Sequence, residues 1–160
     1  MPDLPNVLVA DDDRNDFMLV QLAFQKVGLP VNLFHVLDGQ QAMDFLSAAN
    51  KFKSRAGQPL PDLLLLDLKM PLMDGFDVLS FLKAQPALQS LPVVVLSASQ
   101  IREDIARAME LGAREFLTKP ADFPALVALV RALFSRWLSA GSSRLEQESK
   151  PAPVGEGRPQ

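Results

Sequence analysis

Five polar residues of this chain are of the types that could do chemistry together: Asp11, Asp12, Asp67, Ser97 and Lys119. They stand at the ends of short apolar runs. Val7-Leu8-Val9-Ala10 ends at Asp11-Asp12-Asp13, and Leu63-Leu64-Leu65-Leu66 ends at Asp67. Val93-Val94-Val95-Leu96 ends at Ser97, and Glu115-Phe116-Leu117-Thr118 ends at Lys119. An aspartate after a strand is, taken singly, a turn residue or a helix cap. Taken together, these positions supply three carboxylates, a hydroxyl and an ammonium from four separate runs. Crowded carboxylates repel one another unless a cation lies among them, and hard oxygen donors suit Mg²⁺. Such a cation would also neutralise an incoming phosphoryl group, leaving its other oxygens for the lysine and the hydroxyl. Carboxylates form acyl phosphates, so Asp67 is a candidate nucleophile that needs no separate base.

For these groups to meet, the runs must lie side by side. Four consecutive apolar residues fit strands buried on both faces, as in a parallel sheet. A further, weaker strand is expected over 31–37, where Asn32 and His35 interrupt the apolar character. Helical spacing fills the gaps: Phe17, Val20, Phe24 and Val27; then Ala42, Phe45, Leu46 and Ala49; then Phe76, Leu79 and Leu82. Ile101, Ile105, Ala108 and Met109 continue the pattern, as do Leu126, Leu129, Val130, Leu133 and Trp137. Gly28 is placed to stop the first helix, and Asp122 to cap the last. The β-α alternation, repeated five times, predicts an α/β fold: a five-stranded parallel sheet with helices on both faces and right-handed crossovers. In such a sheet ligands sit at the carboxyl ends of the strands. Residues 51–61, with Gly57, Pro59 and Pro61, read as a long loop.

Composition narrows the function further. The chain has 160 residues, 48% hydrophobic and 22% charged, enough to bury a core without staples. The absence of cysteine excludes a disulfide framework, a Cys-rich zinc site and a thiol nucleophile. A single histidine, His35, excludes an HExxH site. A net charge of −3 without a basic stripe argues against nucleic-acid binding. No leader-like segment opens the chain, and the longest apolar stretch, 124–138, is broken by Arg131 and Arg136. A soluble cytoplasmic domain without membrane contact is expected.

The acidic pair Asp11-Asp12, the stretch Asp67-Leu68-Lys69-Met70-Pro71-Leu72-Met73-Asp74-Gly75, Ser97-Ala98 and Lys119-Pro120 together resemble a response-regulator receiver domain of two-component signalling. The resemblance spans 5–139, leaving 1–4 as an N-terminal extension and 140–160 as a polar tail expected to be disordered. It implies a doubly wound, flavodoxin-like (βα)5 fold with strand order 2-1-3-4-5. It further implies that Asp67 is the phosphoacceptor for a sensor histidine kinase. Asp11, Asp12, Asp67 and the backbone carbonyl of Lys69 would hold Mg²⁺, Asp11 through water. Ser97 and Lys119 would contact the phosphoryl group, and Ser97 with Phe116 would form the switch. The Lys119-Pro120 bond is expected cis, and Lys69 and Ser99 are expected to flank the path of attacking water.

The long 51–61 segment and the ending Leu133-Phe134-Ser135-Arg136-Trp137-Leu138 resemble single-domain regulators that partner bacterial and cyanobacterial phytochromes. Nothing after Trp137 reads as an output domain, so the expected output is a protein contact rather than catalytic turnover. Phe134 and Leu138 extend the apolar surface of the last helix beyond its packing stripe, which predicts a homodimer. A phosphorelay shuttle is an alternative of the same class. A different class is an Mg²⁺-dependent aspartyl-nucleophile phosphohydrolase of the haloacid-dehalogenase type. Those enzymes place a second aspartate two residues after the nucleophile, where this chain has Lys69. A dinucleotide-binding protein is disfavoured because Asp11-Asp12-Asp13 fills the turn where GxGxxG would lie.

Overall fold

The structure is a computed structural model and describes residues 4–139. The expected tail, 140–160, and most of the expected N-terminal extension lie outside the described residues. Five strands alternate with five helices: β1 (Asn6–Ala10), α1 (Arg14–Val27), β2 (Asn32–Val36), α2 (Gly39–Ser47), β3 (Leu63–Leu66), α3 (Gly75–Lys83), β4 (Val93–Ser97), α4 (Arg102–Glu110), β5 (Glu115–Thr118) and α5 (Phe123–Leu133). The strands are all parallel, in the order β2-β1-β3-β4-β5. Val7–Ala10 pairs with Leu63–Leu66, and Leu64–Leu66 pairs with Val93–Val95, so the three most apolar strands lie at the centre.

The pleat sends alternate residues of these strands to opposite faces, which explains why each run is apolar at every position. Leu8, Ala10, Leu64, Leu66, Val93 and Val95 pack with α2, α3 and Ala108 of α4. Val7, Val9, Leu63, Leu65 and Val94 pack with Val20, Ala23 and Phe24 of α1 and Leu126, Val130 and Leu133 of α5. The expected helix signals operate as read. Gly28 takes a left-handed φ of 69° at the end of α1, and Asp122 accepts from Ala125 N–H at the start of α5. Asp13 caps α1 by accepting from the N–H groups of Asn15 and Asp16.

Several expectations are revised. The 51–61 loop is partly ordered as a short 3₁₀ segment, Asn50–Arg55. Phe52 packs edge-on against Phe45, and the Arg55 guanidinium stacks 3.8 Å from the Phe45 ring centroid while donating to the Phe45 carbonyl oxygen. These are tertiary contacts that local Gly and Pro content does not reveal. Burial lowers the pKa of Arg55. The expected inward face of α4 is narrower than its periodicity suggests: Ala108 is buried, whereas Ile101 and Met109 are exposed. The Lys119-Pro120 bond is trans, the form that X–Pro bonds favour by about 0.5–1 kcal/mol. Lys119 N–H still donates to the Ser97 carbonyl oxygen at 2.9 Å, so the pairing of β4 with β5 continues to the site.

The end of the last helix also differs. Residues Phe134–Leu138 form a π-helical turn, closed by Ser139 N–H donating to the Phe134 carbonyl oxygen. This wider winding brings Leu138 round onto the same face as Leu133, where it is 1% exposed. Leu138 is therefore core, not part of an outward patch. Phe134 stays partly buried, and Trp137 Nε1–H donates to the Glu115 carboxylate at 2.7 Å.

The loop from β3 to α3 is held tightly at both ends. Gly75 N–H donates to the Leu68 carbonyl oxygen at 2.9 Å, and a Cβ on Gly75 would fall 2.5 Å from the backbone oxygen of Asp67. Gly39 N–H donates to the Met73 carbonyl oxygen at 2.9 Å. Between these anchors Leu72 adopts φ 66° with 84% of its surface exposed. A left-handed conformation costs an L-residue about 1–2 kcal/mol, and glycine escapes that cost at the expense of greater freedom in the unfolded chain. Leu72→Gly is therefore expected to stabilise the protein by roughly 0.5–1 kcal/mol. Urea unfolding checks this; a lower midpoint than wild type would contradict it.

Candidate functional site

The carboxyl ends of β1, β3, β4 and β5 bring the expected residues to one edge of the sheet. Asp11 and Asp67 are buried there, Asp12 is exposed, and one carboxylate oxygen from each lies within 4.8 Å of the others. Ser97 is buried at the end of β4 and its Oγ accepts from Ser99 N–H at 3.3 Å. Lys119 reaches over from β5: its Nζ lies 2.9 Å from Asp11 and 3.1 Å from Asp67. Phe116, two residues before the end of β5, is partly buried against the core on the α3–α4 side of the sheet. Lys69 N–H donates to Asp67 Oδ1 in a long contact of 3.4 Å.

Backbone pairing fixes both buried carboxylates. Asp67 N–H donates to the Ala10 carbonyl oxygen at 2.9 Å, and Asp11 N–H to the Val36 carbonyl oxygen at 3.1 Å. The Asp11 side chain accepts from Asp13 N–H at 2.9 Å, closing the turn into α1. His35 stacks on Phe17 with ring centroids 4.2 Å apart, and its Nε2 lies 2.8 Å from the Asp11 carbonyl oxygen. A carbonyl oxygen can only accept, so the imidazole carries its proton on Nε2 in this arrangement.

Three contacts around the site have no counterpart in the sequence reading. His35 is one, and its interruption of an apolar strand was the visible sign. The second is Asp16, whose carboxylate is 2.7 Å from Lys119 Nζ. Its signal was also available: Asp16 lies one turn before Val20 and two before Phe24, on the packed face of α1. The third is Ser99, whose Oγ donates to Asp104 Oδ2 at 2.7 Å and accepts from Ile101 N–H at 3.2 Å, tying the β4–α4 loop to the start of α4.

The electrostatics follow from burial. Burial pushes the Asp11 carboxyl above its ordinary value, opposed by the Asp13 N–H and Lys119 and assisted by the charge of Asp67. Burial works against the Lys119 ammonium, yet Asp16, Asp11 and Asp67 together outweigh it and hold the amine protonated well beyond the ordinary lysine range. Three carboxylates with converging oxygens form a hard donor set of the kind that suits Mg²⁺.

A raised carboxyl pKa means that the fold accommodates the ionised form of Asp11 less well than the unfolded chain does. Its contribution to stability is therefore present at low pH and is lost as pH rises through its folded pKa. In chelator at pH 7, Asp11→Asn should raise the melting temperature by a few degrees, and the gain should vanish towards pH 3. The same variant should lose most of the stabilisation that millimolar Mg²⁺ gives the wild type. Thermal melts with and without Mg²⁺ decide this, and a variant less stable than wild type in chelator would contradict it.

Comparison with known proteins agrees with this geometry. The family model of the response regulator receiver domain matches residues 7–131. The chain is 33% identical over 132 residues to the probable methanogenesis regulatory protein FilR2 of Methanothrix harundinacea, covering 82% of this chain and 83% of that protein. It is 34% identical over 132 residues to the response regulator Rcp1 of Synechocystis, covering 82% of this chain and 88% of that one. The solved structure of the phosphorylated cyanobacterial phytochrome response regulator RcpA superposes with a TM-score of 0.78 at 33% identity, covering 86% of this chain and 96% of that chain. Among the described residues no helix is long and apolar enough to cross a membrane. The strand order, the converging acidic residues and the matched length have one meaning: the chain belongs to the response regulator receiver domain family, whose members are phosphorylation-dependent switches of two-component signalling.

Proposed function

We propose that Asp67 is the phosphoacceptor and that this chain works as a switch rather than as a turnover enzyme. The observation that carries this reading is the position of Asp67: buried, fixed by backbone pairing to β1, and joined at one carboxylate oxygen to Lys119. In this reading the Asp67 carboxylate attacks the phosphorus of a phosphohistidine on a sensor kinase. The new bond is from a carboxylate oxygen to phosphorus, and the bond that breaks is from phosphorus to the imidazole nitrogen, which leaves with its electron pair. Asp11, Asp12, Asp67 and the Lys69 carbonyl would hold Mg²⁺, which when bound neutralises negative charge on the transferring group. Lys119 and Ser97 then bind phosphoryl oxygens.

The acyl phosphate carries about −1.5 to −2 charge, and Ser97 turns towards it. The space that Ser97 leaves is taken by Phe116, which repacks the neighbouring surface of α4. Such coupling signals only if a partner distinguishes the two arrangements. Lys69, exposed and two residues beyond Asp67, covers the acyl phosphate with a long cationic chain and favours a persistent signal. The absence of a second aspartate at position 69 weighs against the phosphohydrolase alternative. A phosphorelay shuttle would use the same chemistry with two histidine partners. The similarity to Rcp1 and RcpA supports a phytochrome-type kinase as the donor, and the charge of −3 supports a protein rather than a nucleic acid as the target. Cytoplasmic localisation follows from a kinase partner of this kind.

The proposed assembly is a homodimer through the outer side of α5 and its π-helical extension. Leu129 and Phe134 remain only partly buried there, so an apolar strip survives the inward turn of Leu138.

Two experiments test these readings. Incubation with Mg²⁺ and acetyl phosphate should add one phosphoryl group by intact mass, and Asp67→Asn should gain none while keeping its circular dichroism spectrum. A gain of equal size in the variant would place the acceptor elsewhere. For the dimer, sedimentation at micromolar concentration should give two copies for wild type and one for Phe134→Asp; a wild-type monomer would end that assignment.

A further inference from the structure

Asp16 makes the shortest ion-pair contact at the site, yet it belongs neither to the metal donors nor to the phosphoryl contacts. It sits in the first turn of α1, on the side that packs against the sheet through Val20 and Phe24. An acidic side chain on such a face needs a partner, and Asp16 has Lys119 Nζ at 2.7 Å, against 2.9 Å for Asp11 and 3.1 Å for Asp67. Position in a first helical turn favours a negative charge, which suits the short contact that Asp16 makes with the ammonium. The three carboxylates differ in setting: the side chains of Asp11 and Asp67 are each 8% exposed, that of Asp16 36%. The pair also borders a cavity of about 170 Å³ between α1 and α5, lined on its apolar side by Leu19, Phe123 and Leu126. Space therefore lies beside the lysine side chain, and three charges claim its ammonium.

We propose that Asp16 is a positioning residue that draws Lys119 towards α1 in the resting protein and competes with the phosphoryl group for it, so that it limits both how readily the site is charged and how long it stays charged. The inference rests on Asp67 as the phosphoacceptor. Phosphorylation replaces the single charge of Asp67 with a larger one on three oxygens. Among the described residues Lys119 is the one cation seen bridging these carboxylates. Whatever share of its ammonium Asp16 retains is withheld from the phosphoryl oxygens. Asp16→Asn keeps the side-chain size and removes the competing charge, whereas Asp16→Glu keeps the charge.

The test compares wild type, Asp16→Asn, Asp16→Glu and Asp67→Asn with Mg²⁺ and acetyl phosphate, following mass gain and its decay after the donor is removed. Asp16→Asn should charge about two- to fivefold faster and decay about two- to fivefold more slowly, the equivalent of one partly exposed ion pair. Asp16→Glu should behave as wild type. The same ratio should appear without covalent chemistry, as tighter binding of beryllofluoride, a phosphoryl mimic, read by thermal shift in Mg²⁺. In the Lys119→Met background Asp16→Asn should have no effect on that binding, which separates action through the lysine from a change in the helix. Weaker binding and slower charging in Asp16→Asn, or rates equal to wild type, overturn the proposal. A mass gain that survives in Asp67→Asn instead overturns the phosphoacceptor assignment, and the beryllofluoride arms still read the effect of Asp16.

Discussion

A single ammonium shared among three carboxylates is the constraint around which this edge of the molecule is organised. Lys119 Nζ lies within 3.1 Å of Asp11, Asp16 and Asp67, two of them nearly enclosed. Without that cation, burying like charges side by side would raise their pKa values and strain the fold. With it, the site keeps an excess of negative charge that a divalent ion can complete. Under the proposed function, stability and function pull against each other here: the crowding that costs the metal-free fold is what a metal and a phosphoryl group would relieve.

The sheet makes that arrangement rigid. Its three central strands are apolar on both faces, each face carrying its own cluster of core side chains. Interiors packed in this way have little compliance, so the carboxylates at the strand ends cannot drift apart to relieve their repulsion. The helices divide the remaining work. α1 and α5 cover the side that carries Asp16, whereas α2, α3 and α4 cover the side against which Phe116 rests. A charge change at Asp67 therefore has a different neighbour on each face of the sheet.

Much of this was legible in the residues. Four-residue apolar runs ending in Asp11, Asp67 and Ser97 gave the central strands and placed the chemistry at their ends, and helical periodicity placed α1, α2, α3 and α5 (α4 less completely). What escaped reading depends on contacts distant in sequence or on winding. The 3₁₀ segment Asn50–Arg55 is ordered by the Phe45 ring, and the π-helical turn rotates Leu138 inward against the expectation from a 3.6-residue period. The trans Lys119-Pro120 bond departs from what resemblance implied. Asp16 is hard to read from sequence because the helix dipole alone accounts for a carboxylate in a first turn, and only its shared face with Val20 and Phe24 marks it as inward.

The fastening of Trp137 has an optical consequence. The chain contains one tryptophan, and its indole N–H is bonded to Glu115, the residue immediately before Phe116 on β5. Arg136 holds the same carboxylate from the other side at 2.9 Å. The sole strong fluorophore is thus wired to the strand that carries the aromatic residue expected to move. Indole emission depends on its hydrogen bond and its exposure to water, so the colour and intensity of this one ring give a label-free window on the state of β5 in a protein without tyrosine to confuse it.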